Sequence, residues 1–271
     1  MVHSIIISHR NRIDTLPTCL RSVWASGLLC PAVQYEIIIA DDTDPNQTIF
    51  LGRPDVRWYS LRPCHPFNKP RLLNLGIEHA KGDILTFLDA DAVVPPRFME
   101  NAQRLLDDPT LTKLCYRVKD IEPSEMVGKT TDALFADYDS RNCRYEAYGR
   151  PDTNLASRRN PISPKPDAPV FGNSQFSIRR ETLGDLRCDE AYCGRGFEDI
   201  HFNFQIWRKH FDTYRAEIVT DKDHALLHVK TPQPPKEEEW GTGPWTVANR
   251  RRYKKEFDEF RREKMAQGIR V

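Results

Sequence analysis

PRLLNLGIEHAKGDILTFLDADAVVPP, residues 70–96, holds the transition on which the fold reading turns. Its first half predicts a helix over Pro70 to Ala80, stopped by Lys81-Gly82. Its second half predicts a buried strand, Ile84 to Leu88, that ends in Asp89-Ala90-Asp91. In extended chain, residues i and i+2 point to the same side, so both carboxylates can address one ligand. Paired carboxylates at a strand tip suit a hard divalent cation whose other positions are filled by phosphate oxygens. Such a cation acts as a Lewis acid toward a departing diphosphate. Asp is also favoured in turns, so the D-x-D pattern alone is equally well read as turn chemistry.

Upstream, the same alternation repeats. Ile5-Ile6-Ile7 reads as a buried strand, and Leu16 to Trp24 as a helix with Asp14 and Thr15 placed to cap it. Glu36 to Ala40 is a second strand ending in Asp41-Asp42, and Val56 to Leu61 a third. Strands that alternate with helices imply a parallel, doubly wound sheet. Ligands bind such sheets beyond the carboxyl ends of the strands. Polar residues gather at those ends: Ser8 to Arg12, Asp41-Asp42, and Asp89 with Asp91. Arg10, Arg12, Lys69 and Arg71 offer cations there, and guanidinium forks match phosphate oxygens. For any one of them alone, solvated surface charge is the default reading.

The chain of 271 residues is an ordinary globular composition, 39% hydrophobic and 29% charged. A net charge of +1 supplies no global field for an anionic partner. The N-terminal MVHSIIISHRNR has too short an apolar run for a signal peptide or anchor. No stretch approaches the roughly 18 apolar residues of a membrane span. Seven scattered cysteines, with no C-x-x-C, predict reduced thiols and a cytoplasmic protein.

The second half has a different character. Residues 150–170 read as a long Pro-, Asn-, Ser- and Arg-rich loop, and a second flexible stretch covers 231–245. Both are expected to be mobile without donor and to close over it. Phe176 to Ile178 predicts a strand, and the spacing of Ile200, Phe204, Trp207 and Phe211 a helix over Glu198 to His210. Glu198 and Asp199 fall in that helix's first turn, where the macrodipole favours negative charge in any case. The functional alternative makes Asp199 a general base. Gly194 and Gly196 would then let acceptor and backbone approach closely. His224 and His228 could add a nitrogen ligand that favours manganese over magnesium, and spacing does not choose between them. A charged C-terminal helix near 246–266 carries an apolar stripe of Tyr253, Phe257 and Phe260 for packing on the body. The basic excess at 250–255 leaves peripheral membrane contact open, although a solvated face is the better reading.

Taken in order, these segments resemble the galactosyltransferase and N-acetylgalactosaminyltransferase group of A-type glycosyltransferases. They are most similar to β-1,4-galactosyltransferases and to the transferase modules of chondroitin-type polymerases. SIIISHRNRIDTL is similar to the group's first strand and F-R-N-R segment, and PFNKPRLLNLGIEHA to its F-N-R-A-K-L-L-N-V-G helix. FLDADAVVP stands at the D-x-D strand end. FGNSQFSIRRE through GRGFEDIHF resembles the F-G-G segment, which here includes Gly172, and the G-W-G-x-E-D block.

The resemblance implies a single α/β domain, with a Rossmann-like nucleotide-binding half on a mixed sheet, followed by a C-terminal helix. Its expected bounds are 1–232, with a nucleotide-sugar half at 1–115 and an acceptor half at 165–232, leaving 233–271 as loop and charged helix. It also implies a metal-dependent, inverting hexosyltransferase that moves a hexose or N-acetylhexosamine from a UDP-sugar to an acceptor hydroxyl, glycan first. Arg10, Arg12, Phe67, Lys69 and Gly172 would contact the nucleotide diphosphate, Asp42 the base and Asp89 the ribose. Asp91 and His228, with Asp89 beside them, would hold Mn2+ or Mg2+. Asp199 would be the base, with Glu198 at the acceptor or donor sugar.

Two departures bear on specificity. Arg195 replaces the tryptophan of G-W-G, and Ala225 a metal-binding methionine of some members. A nucleotidyltransferase would want a glycine-rich loop after the first strand, and SHRNR has no glycine. An inactive carbohydrate-binding protein would have no use for a base. Nucleic-acid binding has no recognised motif behind it.

Overall fold

A computed structural model describes residues 1–43, 53–141, 174–219, 221–230, 243–269 and 271. The first half runs β1 (Val2–His9), α1 (Leu16–Leu29), β2 (Gln34–Asp41), β3 (Val56–Ser60), α2 (Lys69–His79) and β4 (Ile84–Asp89). It continues through β5 (Ala92–Val93), α3 (Phe98–Leu106), β6 (Lys113–Tyr116), β7 (Val118–Ile121) and α4 (Thr131–Ala136). Then follow β8 (Phe176–Arg179), α5 (Arg180–Leu183), α6 (Glu198–Lys209), β9 (Ala216–Val219), β10 (Leu226–Val229) and α7 (Pro244–Ala266).

The main sheet has seven strands in the order β3-β2-β1-β4-β8-β6-β9. Strands β3, β2, β1 and β4 are mutually parallel, as the alternation of the first half predicts. Strand β8 lies antiparallel between β4 and β6, which makes the sheet mixed. Ile5, Ile6 and Ile7 are fully buried, as expected of a central strand covered on both faces. Ile5 and Ile7 point to the side of α1 and α3, against Leu20, Val23 and Met99. Ile6 points to the other, against Leu73 and Ile77 of α2 and a layer containing Phe202 and Ile206 of α6. Helix α2 approaches β1 so closely that a Cβ on Gly76 would meet Ile6 Cγ2 at 2.3 Å, which explains a glycine inside that helix.

Three boundary details differ from expectation. Helix α2 starts at Lys69, capped by Asn68, whose side chain accepts from Arg71 N at 3.3 Å. Thr15 precedes α1 with a helical backbone and makes no side-chain cap, because its φ is already αR where a capping side chain needs an extended residue. Helix α7 begins at Pro244, inside the stretch expected to be flexible, since proline is well suited to a first turn. Most of both expected mobile loops, and Gly172, lie outside the described residues.

A second sheet, β5-β10-β7, is small, and it matters most for the site. Its register sets His228 opposite Ala92 and beside Asp120. Helix α7 packs through Tyr253, Phe257 and Phe260 onto Phe204 and Trp207 of α6, so the apolar stripe is a core element. The six described cysteines are free thiols. Among the described residues no helix is long and apolar enough to cross a membrane.

Candidate active site

Parallel strands end together, and here that brings chemistry together. Registry pairs Ser8 with Asp89 and His9 with Asp41 at the carboxyl ends of β1, β4 and β2. Asp41 serves the scaffold: it accepts from His9 Nδ1 at 2.9 Å, Thr43 N at 2.8 Å and Trp58 Nε1 at 3.2 Å. Asp42 is different. It is 2% exposed, and neither carboxylate oxygen has a hydrogen-bond partner among the described residues. Burial pushes its carboxyl up to about 6, partly offset by Arg10, whose Nη1 lies 3.7 Å away. A buried acceptor left without a donor costs stability, so it marks a place where a ligand N–H or O–H would be welcome. The Arg10 guanidinium also lies 5.2 Å from the centre of the Phe67 ring.

The Lys69 ammonium is the junction of the site. It forms an ion pair with Asp89 and is held above its ordinary pKa. Burial alone would lower it, but the facing carboxylates of Asp89, Glu198 and Asp199 outweigh that cost. The second Asp89 oxygen accepts from Ser174 Oγ at 3.0 Å. Thus α2, β4 and the start of α6 converge on one ammonium, although they are far apart in sequence.

Glu198 and Asp199 open α6 beside that ammonium. Burial pushes the Glu198 carboxyl up to about 7, helped by repulsion from Asp199 and opposed by Lys69. Burial raises Asp199 as well, again against Lys69. Its Oδ1 accepts from Ile200 N at 2.8 Å. Its carbonyl accepts from Asn203 Nδ2, also at 2.8 Å, and Asn203 Oδ1 in turn takes a hydrogen bond from the buried Lys113. A carboxylate held above its usual range is suited to accept a proton near neutral pH.

Asp91 lies two residues past the end of β4. His228 Nε2 is 3.3 Å from Asp91 Oδ2, and Arg12 Nε 3.8 Å from the same oxygen. His228 Nδ1 is engaged by Asp120 Oδ1 at 2.9 Å, which turns Nε2 toward Asp91. A carboxylate behind an imidazole is the usual support of a metal-ligating histidine. Two ligands of one divalent cation, with bonds of about 2.1 Å, sit about 3 to 3.4 Å apart. The donor set therefore fits a cation held by Asp91 and His228, with Asp89 nearby in its pairing with Lys69 and Ser174.

His224, which spacing alone does not separate from His228, pairs with Asp221 at 2.6 Å beside Arg104 on the outer surface. At Gly194 an added Cβ would meet Trp245 of α7 at 2.4 Å, so the glycine allows that helix to approach closely. A separate group, Asp189, His201 and Glu256, brings ligand-type atoms within 4.8 Å of one another. It is internally bonded: Glu256 accepts from Tyr192 OH and pairs with His201 Nε2, each at 2.8 Å.

Sequence reasoning does not reach Asp120, Ser174, Lys113 or Asn203. Asp120, Ser174 and Lys113 act through non-local pairing, which leaves no local signature, and Asn203 joins Lys113 to the first turn of its own helix.

Residues 4–182 match the description of glycosyl transferase family 2. The chain belongs to glycosyl transferase family 2. The family is one of glycosyl transferases, which favours that reading over a nucleotidyltransferase. It is 26% identical over 230 residues to a probable N-acetylgalactosaminyltransferase 6 of Caenorhabditis elegans, covering 76% of this chain and 34% of that protein. The chain thus spans about a third of the length of that curated relative. Among solved structures it is similar to residues 1–349 of S. aureus TarS in complex with UDP. There the TM-score is 0.57 at 16% identity, over 86% of this chain and 61% of that one. A longer TarS structure gives a TM-score of 0.55 at 14% identity, over 86% of this chain and 37% of the other. At such identities these likenesses carry the fold, which is that of an A-type glycosyltransferase domain.

Proposed function

We propose that this family 2 domain transfers a hexose or N-acetylhexosamine from a UDP-sugar to an acceptor hydroxyl, with a divalent cation and inversion of the anomeric centre. The observation that carries the reading is the position of Lys69, which pairs with Asp89 at the strand tips and faces Glu198 and Asp199 at the helix start. One ammonium thereby joins a phosphate-type surface to a pair of proton-accepting carboxylates.

In this reading Asp42 receives the N–H of the nucleobase, and Asp89 the ribose. Arg10, Arg12 and Lys69 face the diphosphate, with Phe67 supporting Arg10 from below. Asp91 and His228, steadied by Asp120, would hold manganese or magnesium. Such a cation, when bound, neutralises charge on the leaving diphosphate. Asp199 takes the proton of the acceptor hydroxyl as that oxygen bonds to the anomeric carbon. The bond from that carbon to the diphosphate oxygen breaks on the opposite face. Glu198 lies beside the sugar. The UDP bound by TarS and the aminosugar named for the nematode relative support this donor class.

The test is thermal stabilisation by a panel of nucleotide-sugars, with manganese and with chelator. Binding linkage gives about 2.7 kcal/mol at a hundredfold excess over Kd. UDP-galactose or UDP-N-acetylgalactosamine should stabilise most, and less with chelator. Equal shifts for UDP- and GDP-sugars, unaffected by chelator, would reject the donor and the cation together.

A further inference from the structure

Helix α7 lies outside the segment that matches the family, which ends at residue 182, yet it grips the chain just before Asp199. Residues 193–197 have an unusual backbone. Gly194, Gly196 and Phe197 all have positive φ, at 77°, 95° and 71°. Phe197 is the N-cap of α6, and a side chain as large as phenylalanine rarely adopts that conformation. Strained backbone persists when its surroundings over-determine it.

Those surroundings are α7. Asn249 is 3% exposed, and its Nδ2 donates to Cys193 O at 2.8 Å and to Gly196 O at 2.9 Å. Thr246 Oγ1 donates to the intervening Arg195 O at 2.5 Å. Trp245 fills the space beside Gly194, and Tyr253 packs on the Phe197 ring at 5.7 Å between centroids. Behind them, Glu256 ties Tyr192 and His201 together. On its other side the same loop donates from Gly194 N to Phe67 O at 2.6 Å, beside the diphosphate-facing residues. Three carbonyls within four residues are therefore satisfied by two side chains of one helix turn.

We propose that Asn249, with Thr246, is a positioning residue for transfer. It fixes the 193–197 backbone, and through it the direction in which α6 presents Asp199. This rests on the reading of Asp199 as the base. Helix α7 would then be a working part of the active site, contributed from outside the family segment. In this proposal Asn249 acts through the loop carbonyls alone, so its effect should appear in the chemical step and not in donor affinity. A misplacement of order 1 Å at a reacting group is worth about a hundredfold in rate.

The experiment measures UDP release from UDP-galactose and from UDP-N-acetylgalactosamine, with manganese and with water as acceptor. In that reaction a water oxygen bonds to the anomeric carbon, the bond to UDP breaks, and the proton passes to Asp199. Four variants are compared: Asn249→Ala, Thr246→Val, Phe260→Leu and Asp199→Asn. Phe260→Leu loosens α7 further along, where it touches none of the loop carbonyls.

For Asn249→Ala we expect kcat to fall by about 10- to 100-fold, with donor KM within about twofold of the parent. The acid limb of its pH–rate profile should move toward ordinary carboxylate values as water reaches Asp199. Thr246→Val should show a smaller loss of the same kind, and it decides the matter if Asn249→Ala does not fold. Phe260→Leu should melt earlier and keep the parent kcat. The proposal is overturned if Asn249→Ala keeps kcat, if its loss lies in KM alone, or if Phe260→Leu loses as much kcat. Full turnover by Asp199→Asn would instead remove the base assignment, and the positioning role with it. An inactive Asp199→Asn beside a fully active Asn249→Ala would remove only the positioning role.

Discussion

Replacing Glu198 by glutamine tests whether the site stores an uncomfortable charge. Its Oε2 is buried without a hydrogen-bond partner among the described residues. Burial, then repulsion from Asp199, lifts its carboxyl from the usual 4.5 to about 7, with Lys69 pulling the other way. The folded protein therefore holds that proton more tightly than the unfolded chain. Its contribution to stability is complete below about pH 4.5 and is lost as the pH rises through about 7. A difference of this size corresponds to about 3 kcal/mol, a ceiling because Asp199 titrates in the same field. Glutamine keeps the shape and removes the titration. Urea unfolding of both proteins at pH 4.5, 6 and 8 measures the effect. The variant should match the parent at the lowest pH and exceed it at pH 8 by up to about 3 kcal/mol. Parallel stability curves for the two proteins would refute the reasoning, because they would mean that Glu198 ionises as easily folded as unfolded.

Three further outcomes follow from the same geometry. Asp199→Asn should leave nucleotide binding nearly intact while transfer falls by about two or more orders of magnitude; single-turnover measurements with saturating donor would expose surviving chemistry. Asp91→Ala should abolish any tightening of UDP by manganese in calorimetry, and titrations that remain different with and without chelator would count against Asp91 as a ligand. Asp120→Asn should weaken manganese dependence about 10- to 100-fold while leaving metal-free UDP affinity unchanged, since it acts through the orientation of His228.

How much of this was legible in the sequence follows from the range of the interactions. Strand tips are local objects. Ile5-Ile6-Ile7 announces a buried parallel strand, and whatever follows it must emerge at the ligand edge, so Arg10, Asp42, Asp89 and Asp91 could be nominated from the pattern. The helix that starts at Glu198 was equally local, carried by the spacing of Ile200, Phe204 and Trp207. His228 is another matter. Its place beside Asp91 depends on a two-residue strand, Ala92–Val93, pairing with β10, and on β10 pairing with β7. No periodicity can reveal a strand of two residues, and spacing left His224 and His228 level. The family resemblance chose His228, and the register accounts for its proximity to Asp91.

Asp120 and Asn249 were invisible for the same reason, since each acts on a partner more than fifty residues away. The division has a consequence for how this domain can vary. In the proposed reading the nucleotide side is built from strand ends inside the family segment, whereas Asp199, His228 and Asn249 all lie beyond residue 182. On that same reading, changes in α7 can therefore re-aim Asp199 through the 193–197 loop, whose link to the nucleotide side is the bond from Gly194 N to Phe67 O. A series of substitutions at Trp245, Thr246 and Asn249 should spread kcat widely at nearly constant donor affinity, and a series at Asp42 and Arg10 should do the reverse.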